Sequence, residues 1–338
     1  MKLTIKTIAK LANVSCTTVS RVINNKPDVK PETRKYILDL IESYNYQPNV
    51  FARGIHLKKS NCIGLIIPSE IDYILTNSFY AEVIRGIASE LYERGYFLLF
   101  LYTNKREDFV NVYKQNRVDG FIIIRLGVYD RDIIATLNGI GAPFVSTTNI
   151  SGEANMTVVD IDHYKAASKA VEYLISLGHS RIGMIAAANS LTNSKERFAA
   201  YKDVLKKYNI PFDDALVEEA DTSMQGGYNA MKKMLKNKIE PTAVFVAGDV
   251  MAKGAMKAIS EAGKSIPKDI SIMGFDGIPE SEFTEPSLTT IKQPSFLKGK
   301  TAASLLIDKL ENKSTIESVT MDVELIIRES TDNYNPDK

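Results

Sequence analysis

The sequence predicts a small all-α head followed by an α/β core of two doubly wound lobes. Three features of the 338-residue chain point there. Apolar residues recur at helical spacing in three short runs between residues 5 and 44. From residue 62 the pattern changes to near-continuous apolar runs of strand length separated by amphipathic helical stretches, the mark of a parallel sheet covered on both faces. That alternation starts afresh near residue 182, which implies a second lobe of the same kind. The length suits two or three domains, and 44% hydrophobic content is ample for packed cores.

In the head, Ile5, Ile8, Ala9 and Ala12 fall at the spacing of one helix face. A break follows at Asn13, Val14 and Ser15, and Ser15 can cap a second helix by accepting a backbone N–H bond. That helix carries Val19, Val22 and Ile23 on one side and Cys16, Thr17, Ser20 and Arg21 on the other. A third helix starts at Pro31, a residue suited to a first turn, and is expected to bury Ile37, Leu40, Ile41 and Tyr44. Two short helices joined by a tight turn and supported by a third describe a helix-turn-helix, which can lay its second helix in a DNA major groove. A plain helical bundle is the competing description, and charge weighs against it. Residues 1–59 hold 11 Lys+Arg against 4 Asp+Glu, a net +7, whereas the whole chain is +1. A basic head on a mildly acidic body is the electrostatic footprint of a nucleic-acid reader. Arginine pairs bidentately with guanine, so Arg21 is expected to read a base edge, with Cys16 and Thr17 reading adjacent pairs.

These residues also resemble the head of the LacI (lactose/purine repressor) family of bacterial transcription regulators. The matching pieces are TIK-x-IAKLA-x-VS, TVSRV-x-N, VKPETR and YQPN-x-x-ARG, in one order and at family spacing. The resemblance continues through nearly the whole chain. It implies a ligand-responsive regulator, a repressor of carbohydrate genes that binds double-stranded operator DNA as a homodimer in the cytoplasm. The expected organisation is a helix-turn-helix domain over 1–48, a hinge helix or linker over 49–60, and a periplasmic-binding-protein-like effector core over 61–338.

Pro48 forbids a smooth continuation of the third helix, and Asn49 can cap a short new one. A free helix of that length is marginal in water, so it needs a partner or DNA to form; a flexible linker is the alternative. The resemblance favours a hinge helix that enters the minor groove through Asn49, Ala52, Arg53 and Ile55. Ile55 stands where the family usually places a wedging leucine, and apolar wedges of this kind kink the duplex.

In the core, strands are expected over 62–67, 97–102, 120–124, 144–147 and 158–161, with helices over 79–94, 107–116 and 130–139. The second set has strands over 182–187, 217–219, 243–247 and 271–275, with helices over 194–208, 225–235 and 249–262. A strand at 288–291, a helix at 295–310 and strands near 319–323 and 325–328 complete the chain. The resemblance places lobe crossovers near Asp162, Lys292 and Val323, giving an N-lobe of about 61–162 and 292–322 and a C-lobe of about 163–291 and 323–330. No heptad tail follows, so a tetramer built on a C-terminal coiled coil is not expected.

Ligands in open α/β sheets bind beyond the carboxyl ends of the strands, so residues just after strands are the candidates. Asp276 follows Phe275, Asp249 follows the strand ending at Ala247, Arg197 lies early in the helix after 182–187, and Phe79 and Tyr80 open the first core helix. Asp249 has an alternative as a helix cap, and Phe79 and Tyr80 have one in the core. A charged residue beside apolar strand ends needs a reason to be there. NSKERFAAY is similar to the family's R-x-x-G-Y signature and IMGFDGIP to its GFD signature, which implies that Arg197 and Asp276 hydrogen-bond the effector. Asn193 and Asp162 complete the candidate set. An arginine beside a carboxylate offers the mixed donors and acceptors that sugar hydroxyls require. Gly248 where the family often has Asn removes one polar contact. Leu191 and Thr222, where purine-binding members carry an arginine and a stacking aromatic, speak against a purine. Glu285, near an arginine position of the catabolite-control members, speaks against their phosphocarrier partner.

Other function classes find little support. No Gly-rich phosphate loop, metal-binding motif or nucleophile elbow occurs, so an enzyme and a bound cofactor or metal are not expected. His56, His163 and His179 are isolated, and His179 is expected to end a helix as a cation. Cys16 and Cys62 cannot build a disulfide framework, which fits a reducing compartment. No run of 18 apolar residues exists, so no membrane span is expected. A secreted sugar-binding protein would suit the core, but the basic head and the absence of a signal peptide argue against it.

Overall fold

The computed structural model describes residues 4–23, 25–46, 59–67, 71–102, 105–124, 131–150, 156–187, 192–236, 240–313 and 318–335. The chain divides into two units, Met1–Ser60 and Asn61–Lys338.

The first unit contains α1 (Ile5–Leu11), α2 (Cys16–Ile23) and α3 (Pro31–Ser43). Thr4 and Thr7 cap α1 reciprocally. The Ser15 hydroxyl accepts the Thr18 N–H at 3.1 Å at the start of α2, and Asn13 takes the left-handed turn between the helices at φ +53°. Ile8, Ala9, Val19, Val22 and Ile37 form the core of the unit. Leu40 and Ile41 are only partly buried against it. Tyr44 departs from expectation: it is exposed, and Tyr46 is buried instead. The helix ends at Ser43 and Asn45 turns the chain at φ +46°, which returns the second tyrosine, not the first, to the apolar cluster.

The second unit holds two parallel sheets of six strands each. Its first half runs β1 (Cys62–Ile66), α4 (Ile71–Thr76), α5 (Ser78–Glu93), β2 (Phe97–Leu101), α6 (Arg106–Lys114), β3 (Gly120–Ile123), α7 (Arg131–Gly139), β4 (Phe144–Ser146) and β5 (Thr157–Ile161). There follow α8 (His163–Ser176), β6 (Ile182–Ala187), α9 (Thr192–Lys207), β7 (Val217–Ala220), α10 (Met224–Met234), β8 (Ala243–Val246), α11 (Asp249–Glu261), β9 (Ser271–Asp276), β10 (Thr289–Lys292), α12 (Ser295–Leu310), β11 (Val319–Met321) and β12 (Glu324–Ile326). The six-residue α4 was not anticipated; so short a helix carries little periodicity to read.

The N-lobe sheet has the order β11-β5-β4-β3-β1-β2 and the C-lobe sheet β12-β10-β9-β8-β6-β7. All pairings are parallel except β10 with β12. The chain therefore passes between sheets after β5, after β10 and between β11 and β12. Strands β3, β6 and β8 are buried along their whole length, which is why they read as continuous apolar runs. In the N-lobe, α5 and α12 cross with their backbones in contact: a Cβ on Gly86 would fall on the Phe296 carbonyl, and one on Gly299 on the Val83 carbonyl. That close crossing fixes α12, and with it Lys298, against the N-lobe.

Candidate functional sites: a DNA-reading helix and an interlobe cleft

Helix α2 buries Val19 and Val22 and leaves Cys16, Thr17 and Arg21 exposed on its other side. The three candidate base readers therefore lie on one accessible helix face. Arg21 is 3.1 Å from Asp28 in an exposed ion pair, a contact weak enough to yield to a base edge. Arg34 donates to the Asn25 side chain at 2.9 Å and also to the Lys26 carbonyl, which holds the loop between α2 and α3. The hinge candidates Asn49, Ala52, Arg53 and Ile55 lie outside the described residues.

In the core, residues at the carboxyl ends of strands from both sheets line one cleft, the place where open α/β sheets bind their ligands. Phe79, Tyr80, Asn193, Arg197 and Asp276 all line it. Asn77 accepts the Phe79 N–H at 3.0 Å and so caps α5 where that helix faces the cleft. Phe79 and Tyr80 meet edge to face at 5.1 Å; they border the cleft and also pack on the N-lobe core.

Arg197 is almost fully buried. Its guanidinium lies over the Phe275 ring at 3.6 Å, donates to the Ala247 carbonyl, and stands 3.9 Å from Asp276 Oδ1. That oxygen also accepts from Gln293 Nε2 at 2.8 Å. Asp276 closes β9 at φ +118°, an unusual conformation for a non-glycine residue and one that clusters at functional sites. Burial pushes its carboxyl up to about 6, against the pull of Arg197 and Gln293.

Two candidates do not reach the cleft. Asp162 caps α8, accepting the Lys165 N–H at 2.8 Å, and faces solvent. Its side chain is spent on the orphan donors of the helix start. Asp249 neither lines the cleft nor caps its own helix, where Gly248 is the N-cap. It is completely buried, accepts the Thr290 hydroxyl at 2.7 Å and the Ile278 N–H at 2.9 Å, and braces the turn after β9. Burial first, and then the Asp276 charge, push its carboxyl up to about 8 despite those donors. The glycine of Gly274-Phe275-Asp276 is explained by the same group: a Cβ at Gly274 would fall on the Asp249 carboxyl.

Sequence reasoning missed four groups. Lys298 lines the cleft from α12, and its ammonium binds Asp160 Oδ1 at 2.6 Å. Asp160 also faces His163 Nε2 at 3.2 Å, and His163 Nδ1 faces Arg197 Nη2 at 3.2 Å. Burial, partly opposed by Asp160, lowers the imidazole to about 4. A neutral ring must then donate from Nε2 to the carboxylate and accept from the guanidinium at Nδ1, which assigns its tautomer. Burial works against the Asp160 carboxylate, but Lys298 and His163 outweigh it and hold it well below the usual range. Gln293, just after β10, is the fourth. His179 also differs from expectation. It is buried, donates from Nε2 to the Asp332 carbonyl at 3.1 Å and accepts from Thr242 at 3.0 Å. Burial lowers its pKa, so it is a neutral core residue and not a helix-end cation.

A helix-turn-helix with an open reading face, in one chain with a two-lobed ligand cleft, defines a ligand-responsive DNA-binding regulator. The family profile described as "Bacterial regulatory proteins, lacI family" matches residues 4–49, and "Periplasmic binding protein-like domain" matches 171–331. The HTH-type transcriptional repressor PurR of Actinobacillus pleuropneumoniae serotype 3 (strain JL03) is 33% identical, with 98% of this chain and 99% of that protein covered. The Lac repressor dimer bound to operator and the anti-inducer ONPF superposes with a TM-score of 0.86 at 29% identity, covering 98% of this chain and 100% of that one. The transcriptional regulator CelR–cellobiose complex has a TM-score of 0.75 at 28% identity, covering 97% and 99%. The chain belongs to the lacI family of bacterial regulatory proteins. Among the described residues, no helix is long and apolar enough to cross a membrane.

Proposed function

We propose that the protein is a cytoplasmic, non-enzymatic repressor of carbohydrate genes that binds a palindromic operator as a homodimer and answers to a sugar. The observation that carries this reading is that Arg197 and Asp276 stand 3.9 Å apart in a cleft that Phe79 and Tyr80 also line. An aromatic face, a guanidinium and a carboxylate supply the packing, donors and acceptors that a polyol presents to a protein. The similarity to a cellobiose-bound regulator points the same way. Arg21, Cys16 and Thr17 are assigned to base reading, and Phe79, Tyr80 and Asn193 join Arg197 and Asp276 around the effector.

The homodimer finds support in the edge strand β2. Phe97 and Phe100 are 69% and 42% exposed there and Tyr102, just past its end, is 56% exposed, and an apolar sheet edge is a liability unless something covers it. A second copy of the chain is the occupant that the operator-bound Lac repressor dimer suggests. The test is a genomic-fragment pull-down with the full chain, followed by a sugar screen for release. Recovery of discrete palindromic fragments that one sugar releases or retains is the expected result. Recovery of no fragment above background would overturn the regulator reading, and fragments indifferent to every sugar would overturn the effector reading.

A further inference from the structure

Lys298 sits four residues into α12 and is 3% exposed, yet its ammonium borders the cleft. A lysine so placed loses its hydration and must be compensated locally. Asp160 does this from β5 at 2.6 Å, with the Phe79 ring 5.7 Å away. An ammonium carries three N–H donors, and among the described residues Asp160 is the one hydrogen-bond acceptor recorded for it. Across the cleft floor, Gln293 gives its Nε2 to Asp276, and among the described residues its buried Oε1 has no hydrogen-bond partner. The unfilled requirements are thus an acceptor for Lys298 and a donor for Gln293.

The charges around the cleft already balance. Arg197 and Lys298 are matched by Asp276 and Asp160, while His163 is neutral at neutral pH. An acidic ligand would bring an unmatched negative charge into a buried site that holds two carboxylates. Ionisation of Asp249 behind them would only tilt the balance further against an anion.

We propose that the effector is a sugar bearing no carboxylate or phosphate, and that Lys298, positioned by Asp160, reads one of its oxygens from the N-lobe side. This rests on the sugar-effector reading above and narrows it. Lys298 is the contact residue, and Asp160 is the positioning residue whose charge excludes acidic sugars.

Calorimetric titration of the full chain with ribose, glucose and cellobiose, against glucuronate and glucose 6-phosphate, tests it. The parent should bind a neutral sugar at least about tenfold more tightly than the acidic ones, the scale of one lost or gained charged hydrogen bond. Lys298→Met strands the Asp160 carboxylate and endangers the fold, so the decisive variant is Asp160→Asn with Lys298→Met, which removes both charges. It should keep the parental melting temperature within a few degrees and lose about 10- to 100-fold in affinity for the neutral sugar. Asp160→Asn alone frees the ammonium and should raise glucuronate affinity relative to glucose, a change that a purely structural role would not produce. Tighter parental binding of an acidic sugar, or parental affinity in the folded double variant, would overturn the proposal while leaving the sugar reading intact. If no sugar of either kind binds, both fall together.

Discussion

Asp276 should make effector affinity depend on pH between 5 and 7. An uncharged sugar brings no titrating group, so the profile reports the site. The carboxyl titrates at about 6, so it is roughly 90% ionised at pH 7 and roughly 10% at pH 5. If the carboxylate is the form that accepts the sugar hydroxyls, affinity falls about tenfold across that interval. His163, held at about 4, stays largely neutral throughout. Asp276→Asn should remove the slope and cost about 10- to 100-fold at pH 7, the scale of a charge-assisted hydrogen bond.

The loss at pH 5 is not a disguised unfolding. Asp276 and Asp249 are raised in the folded state, so each contributes stability that is present at low pH and lost as pH rises through about 6 and about 8. His163 is lowered, so its contribution is present above 6.5 and is lost as pH falls toward about 4. The two trends oppose each other, but two carboxyls outweigh one imidazole, so the melting temperature should be no lower at pH 5 than at pH 7. The assay is titration calorimetry at pH 5, 6 and 7 on both proteins, with a melting curve at each pH. A flat parental profile, or a parental slope that survives in Asp276→Asn, refutes the assignment of the carboxylate as the acceptor.

Three further outcomes are expected. Arg21→Ala should cost about 1–3 kcal/mol on the operator and relax base preference at one position; unchanged affinity and preference in a fluorescence-anisotropy titration would remove Arg21 from the readers. With 11 basic residues per head, and roughly 6–10 phosphates neutralised per dimer, operator affinity should fall about 10³–10⁵-fold between about 50 and 200 mM salt, whereas a nearly flat dependence would mean that the basic face is merely solvated. Gly274→Ala forces a methyl onto the Asp249 carboxyl and should destabilise the core by about 1–3 kcal/mol, with sugar response impaired because the turn that aims Asp276 shifts; denaturant midpoints and a sugar titration on the same variant check both parts.

The fold was legible because its signals are local. Continuous apolar runs mark β3, β6 and β8, and Ser15 and Pro31 mark the starts of α2 and α3. Arg197 and Asp276 were legible because a charge beside a buried strand end is conspicuous. Asp162 and Asp249 are selected by the same rule, yet neither lines the cleft. The rule that selects acids after strands cannot tell a side chain that lines the cleft from one spent on a helix start or on the turn behind it. Tyr44 misled because helical spacing was carried one residue past the helix end, where Asn45 redirects the chain.

Lys298 shows where local reading runs out. On an amphipathic helix a lysine reads as solvated face. Its burial here depends on α12 leaving β10 for the opposite sheet and pressing Gly299 against Val83, a contact between residues more than 200 positions apart. The same return brings Lys298 of the N-lobe to Asp160, and Asp160 in turn meets His163 and, through it, Arg197 of the C-lobe. A ligand between Lys298 and Asp276 would therefore touch both ends of a buried polar chain that crosses from one lobe to the other. Such a ligand shifts the lobe equilibrium only by its differential affinity for the two arrangements. If one lobe rotates against the other, the His163 contacts must lengthen or Lys298 must move away from Asp276, so groups tied together across the crossover but carried on different sheets would carry that difference. The Asp276 backbone would respond to such a motion, because its left-handed φ is held by Gln293 and the β9–β10 pairing and lasts only while those neighbours stay in place.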